Sequence, residues 1–189
     1  MFIHKCERLS LFKHVNFDIS NQRDMKKAIV VEHVCTELES NFDSFTFRLE
    51  KALGILKPAT LHALGAAPAS MVSYLNSTSD ENNLMLFNIL LQDDLMKKEN
   101  RKKIIQYQVG NPKIMLRMIA NHPGAGLYIP IHLLVYEKFN GKVVVEYDLP
   151  SSSFAQFNNS EILSDSITLE NKLIKLVRHA DEGNREAIQ

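Results

Sequence analysis

The sequence predicts an α+β domain: a largely antiparallel sheet with helices packed on one face. Three observations carry that expectation. Runs rich in β-branched and aromatic residues come in groups, with helical stretches between the groups rather than in strict alternation. Asn140-Gly141 stands between two such runs, "IHLLVYEK" and "KVVVEY", and marks a hairpin, because both central residues of a type I′ turn need positive φ. Apolar residues recur at helical spacing over two longer stretches, as amphipathic helices require.

Residues 1–24 are weakly patterned and end in the polar "DISNQRD". They form an N-terminal extension: either chain ahead of a translational start at Met25, or a short helix packed on the domain. The domain itself is expected over 25–180, with 181–189 as a C-terminal tail. Ala28–Thr36 reads as a strand, with Ile29, Val31, His33 and Cys35 on one face. "SNFDSFTFRLEKALGIL" begins with Ser40 and Asp43 as a capping pair. Phe42, Phe45, Leu49, Leu53 and Leu56 then recur as one helix face, which Lys57-Pro58 ends. A weaker helical stretch follows around 59–75, then a polar loop at 76–83.

"LMLFNILLQ", 84–92, is an apolar run of the length of a buried strand. Residues 104–109 alternate, with Ile105, Tyr107 and Val109 facing one way. After Gly110-Asn111-Pro112, the residues Ile114, Met115, Met118 and Ile119 mark a short helix. The hairpin comes next. "LPSSSFAQF" reads as a connection, and 158–179 as a last helix with Ile162, Leu169, Leu173 and Leu176 on one stripe.

Composition narrows the function classes. The 189 residues are 45% apolar and carry 22 basic and 22 acidic side chains. A zero net charge argues against a general nucleic-acid binder. "KKENRKK", 97–103, is a local basic exception and reads as a solvated element end. Cys6 and Cys35 match no metal or redox spacing, so a reducing compartment, the cytoplasm, is expected. No apolar run reaches the ~18 residues of a membrane span.

The candidate functional residues are Tyr107, Asn111, His122, Glu137 and Tyr147, around a sheet face or dimer cleft. Asn111 is placed to cap a helix, with Pro112 at its first position; a helix start of this kind also suits an anion, with Lys113 adding charge. Glu137 shares a strand face with Ile131, Leu133 and Val135, where a charge stands either at a frayed end or beside Tyr147 in a pocket. His122 closes a helix, a favourable place for positive charge. His33 and Cys35 read as buried strand residues. No Walker loop, nucleophile elbow or His-pair metal motif occurs, so no catalytic residue, metal or cofactor is expected.

Several of these segments, in this order, carry a likeness. Gly110-Asn111-Pro112, Ala125-Gly126-Leu127-Tyr128-Ile129-Pro130, Val135-Tyr136-Glu137 and Glu146-Tyr147-Asp148-Leu149-Pro150-Ser151-Ser152 resemble the family named domain of unknown function 302. "VEHVCTE" is a weaker match near the start, so the resemblance spans roughly 25–178. It implies a TATA-binding-protein-like sheet-and-helix fold, often dimeric, in bacteria and archaea, and no established activity. Members often carry an Asp-His pair where this chain has Asp93-Asp94.

The function expected is therefore a non-catalytic domain that binds a small ligand or a protein partner, as a homodimer. The alternative is an enzyme using Glu137 or Asp148 with His122 as acid and base. Membrane and nucleic-acid partners are not expected.

Overall fold

The computed structural model describes residues 26–55, 84–95 and 102–182. Strands β1 (His33–Leu38), β2 (Gly54–Ile55), β3 (Met85–Leu91), β4 (Ile104–Gly110), β5 (Ile131–Glu137) and β6 (Val143–Asp148) form one sheet in the order β1-β6-β5-β4-β3-β2. Every pairing is antiparallel except the two-residue β2–β3 contact. Helices α1 (Phe42–Ala52), α2 (Pro112–Asn121), α3 (Pro150–Phe154) and α4 (Ser160–Glu182) cover one face. The α+β plan expected from the sequence is the one observed.

Alternation along the strands sorts the sheet into an inner and an outer face. Tyr107, Val109, Leu133, Val135, Val143 and Val145 point inward and are buried. Against them lie Phe45 and Leu49 of α1, Ile114 and Met118 of α2, Phe154 of α3, and Ile162, Leu169 and Leu173 of α4. The spacing of the last three is the helical stripe read from the sequence. Helix α4 continues through Val177 and Ala180, both buried, where Arg48 donates to the Ala180 carbonyl at 2.6 Å. A guanidinium at that end satisfies carbonyls that the helix leaves unpaired.

Several local expectations change. The first strand starts at His33, and the 26–32 segment ahead of it makes no ladder. The cap of α1 is Asn41, whose side chain accepts from Ser44 N–H at 2.9 Å; Ser40 instead receives Arg48 and donates to the Asp181 carbonyl. That helix stops at Ala52, so Leu56 and Lys57-Pro58 lie outside the described residues, as do 59–75 and 76–83. In β3 only the first half is covered; Ile89, Leu90 and Leu91 are exposed.

The hairpin forms, but not as a type I′ turn. Lys138 and Lys142 are joined by a backbone bond of 2.8 Å around three residues, Phe139-Asn140-Gly141, and only Gly141 has positive φ, +80°. This is the three-residue loop in which a left-handed glycine closes a bulge. Asn140 serves by its side chain, which accepts from Lys142 N–H at 3.1 Å. "LPSSSFAQF" is not a plain connection: Pro150 starts α3, and a 3₁₀ turn, Ala155–Phe157, follows it.

Candidate functional site

Strands β5 and β6 are paired from the hairpin only as far as Leu134 and Glu146. Beyond that point β5 has three more residues and β6 two, and they separate. Ile131, His132 and Leu133 stay on β4, while Tyr147 and Asp148 follow β1. The sheet therefore forks between His132 and Asp148, two residues that continued pairing would set side by side.

A cavity of about 150 Å³ fills the fork on the helical side. Its apolar wall comes from Leu127, Tyr128, Pro130, Ile131, Pro150 and Phe154. Tyr128 and Phe154 of that wall stack edge-on or tilted with each other and with Phe157 behind them, centroids 6.0 Å apart. Ser153, His132 and Asp148 add the polar groups. His132 and Asp148 also line a second depression of about 150 Å³ on the outer face, with His33, Leu134, Glu146 and Tyr147.

That outer depression sits on a polar cluster drawn from three strands. His33 Nδ1 lies 2.8 Å from Asp148 Oδ1, and its Nε2 lies 3.4 Å from Glu146 Oε2. Both ring nitrogens thus face carboxylate oxygens, the arrangement an imidazolium satisfies. Glu146 Oε1 accepts from the Tyr136 hydroxyl at 2.7 Å and from the Cys35 thiol at 3.3 Å.

The electrostatics follow from these bonds. Bonding to Asp148, helped by the charge of Glu146, raises the His33 pKa. Glu146 is held below the usual carboxylate range, chiefly by the Tyr136 hydroxyl. The same bond pushes Tyr136 up to about 12. Burial, and then the bond to Glu146, raises the Cys35 thiol. Each shift favours a proton staying where it is: on the imidazole, phenol and thiol, and off Glu146.

The residues singled out from the sequence are not brought together. Tyr107 is buried and donates to Glu50 at 2.7 Å; burial and that carboxylate raise its pKa. Asn111 is 0% exposed and caps α2, its side chain accepting from Lys113 and Ile114 N–H at 3.1 Å each. His122 closes α2, and its ring acts as an acceptor: Nδ1 receives Gly124 N–H at 3.1 Å, and the ring packs on Phe157 with centroids 4.7 Å apart. Glu137 lies opposite Val143 at the hairpin end, and Tyr147 is four residues further along β6. Among the described residues no hydrogen bond joins His122 to Glu137 or Asp148.

His33 and Cys35 are corrections. They were expected inside, yet both are exposed, because β1 pairs with β6 in the register that sets them opposite Asp148 and Glu146 on the outer face. The clustered residues were legible by parity. Tyr136, Glu146 and Asp148 alternate with the inward Val135, Val145 and Tyr147 in the same quoted motifs. Sequence reasoning chose Tyr107 and Tyr147 from the inward set, and of the cluster named only Asp148, as an acid/base group.

Of the basic run at 97–103, only Lys102 and Lys103 are described. Lys103 pairs with Asp43 at 2.6 Å, and Lys102 Nζ lies 5.5 Å from the Phe139 ring centroid. Among the described residues no three His, Cys, Asp or Glu side chains are arranged to hold a metal ion, and no helix is long and apolar enough to cross a membrane.

The comparisons with known proteins agree with this fold. No curated protein matches the chain. A solved structure, the crystal structure of uncharacterized conserved protein DUF302 from Bacillus stearothermophilus, superposes with a TM-score of 0.56 at 13% identity. It covers 78% of this chain and 97% of its own. At that identity the likeness is one of fold. The family model for Domain of unknown function DUF302 matches residues 63–180, more than half of the sequence. The chain belongs to the DUF302 family.

Proposed function

We propose that the domain is a non-catalytic binding module that takes a small ligand in the fork between β5 and β6. The observation that carries this reading is the fork itself, where an apolar cavity of about 150 Å³ shares His132 and Asp148 with a polar depression of similar size. Concave apolar walls with a few convergent polar groups are the usual make-up of a small-molecule site. The neighbouring reactive groups support binding over chemistry. A thiol and a phenol with raised pKa are poor nucleophiles at neutral pH, and a carboxylate with a lowered pKa is a weak base.

Self-association remains part of the reading. Among the described residues no strand lies on the outer edge of β1, and two such edges pair readily about a two-fold axis. Native mass spectrometry of the purified full chain tests both points. The expected result is a dimer carrying a small adduct that leaves on denaturation. A protein with no adduct, and with no fork amide shifted by any member of a small-molecule fragment set in NMR, would overturn the binding reading. A monomer at all concentrations would overturn self-association.

A further inference from the structure

The two halves of the fork differ in chemistry, and together they specify a ligand class; this inference rests on the binding reading above. The inner cavity is walled by apolar and aromatic side chains and has the volume of a single six-membered ring, by the measure of engineered cavities of about 150 Å³ that take up benzene. One polar group stands in that wall. Ser153 is 8% exposed, lines the cavity, and among the described residues its hydroxyl has no hydrogen-bond partner. A hydroxyl in the wall with no protein partner is open to a ligand that reaches it.

At the mouth the charge is negative. Asp148 and Glu146 are two carboxylates against the single imidazole of His33, so the cluster is anionic whether that ring is protonated or not. Both oxygens of Glu146 are already engaged, by Tyr136, Cys35 and His33. Asp148 uses one oxygen on His33, and its side chain is 57% exposed at the rim common to both depressions. A carboxylate has room for several donors, so Asp148 is the group able to accept another.

We infer that the fork binds a small organic cation: a primary ammonium carried on a ring-sized apolar body. The body sits against the wall that Tyr128, Pro130 and Phe154 form, and the ammonium sits on Asp148 at the rim. An anion of the same shape meets like charge there, and a neutral analogue fills the cavity without using the rim.

The probes are benzylammonium, benzyl alcohol and benzoate, each titrated at neutral pH into the ¹⁵N-labelled full chain, with the amides of 131–133 and 147–154 observed. Benzylammonium is expected to shift these amides with an affinity about tenfold above that of benzyl alcohol, as a charge-assisted bond provides, and benzoate is expected to bind least. Asp148→Asn should remove most of that advantage while leaving benzyl alcohol binding unchanged. His33→Gln takes the competing imidazole off Asp148 and should strengthen benzylammonium binding, an effect that loss of fold would not mimic. Benzyl alcohol or benzoate binding at the fork as well as benzylammonium overturns the cation assignment and leaves the ligand site standing. No shift at the fork with any of the three overturns both.

Discussion

Asn111 offers the sharpest test of a residue that sequence reasoning placed near a site and the structure places under a helix. Its side-chain oxygen accepts from the backbone N–H groups of both Lys113 and Ile114 at 3.1 Å, and the residue is 0% exposed. Asn111→Ala removes that acceptor. At an exposed cap, water takes its place and the cost is small. Here Ile114 is itself buried, so its N–H is left without solvent or partner. The loss should therefore fall at the upper end of the capping range, about 2 kcal/mol. For a chain of this size that corresponds to a fall in Tm of about 4–8 °C. Asn111→Ser keeps a side-chain oxygen at the cap and should lose about half as much. Urea unfolding followed by circular dichroism measures both. A midpoint for Asn111→Ala within error of the parent would refute the capping account, and so would a serine variant no better than alanine.

Four further outcomes are expected. Ion pairing raises the folded-state pKa of His33 above its unfolded value, so its stabilisation is complete below about pH 6.5 and is lost as pH rises through the folded value. The side chain is half exposed, which holds the effect under about 1 kcal/mol; urea midpoints at pH 5.5 and 8.5 should therefore diverge in the parent and converge in His33→Gln. Cys35 is exposed yet protected by burial of its sulfur and by Glu146. In a Cys6→Ser background it should react with a disulfide reagent at pH 8 more slowly than a free thiol, and Glu146→Gln should quicken it. Gly141→Ala forces an alanine to φ +80° and should cost about 1 kcal/mol by thermal denaturation. Gly110→Ala should cost less, since the nearest obstacle to its Cβ is the flexible Met115 sulfur at 2.9 Å.

The parts of the fold that were legible from sequence are those governed by local period. Alternation in β4 and β5 gave the inward sets, and the stripe of Ile162, Leu169 and Leu173 gave α4. Local chemistry also identified the Asn111 cap. What escaped depends on register between distant segments. Nothing within His33–Leu38 says that it pairs with Val143–Asp148, and that pairing alone turns His33 and Cys35 to the outside. The hairpin shows the same limit at short range. Asn-Gly marks the reversal, but the residue count between Lys138 and Lys142 decides which turn is made. The fork is hidden for a further reason: the residues along β5 and β6 carry no mark of where their ladder ends.

Where Tyr147 and Asp148 part from β5 they are still held by a segment 115 residues away in sequence, with His33 as the clasp. That segment lies ahead of residues 63–180, the stretch recognised by family likeness. A polypeptide trimmed to that stretch would lose the strand that holds Tyr147 and Asp148, and with it α1, whose Phe45 and Leu49 complete the core. Borders drawn from likeness alone would thus cut through both the sheet and the packing beneath it.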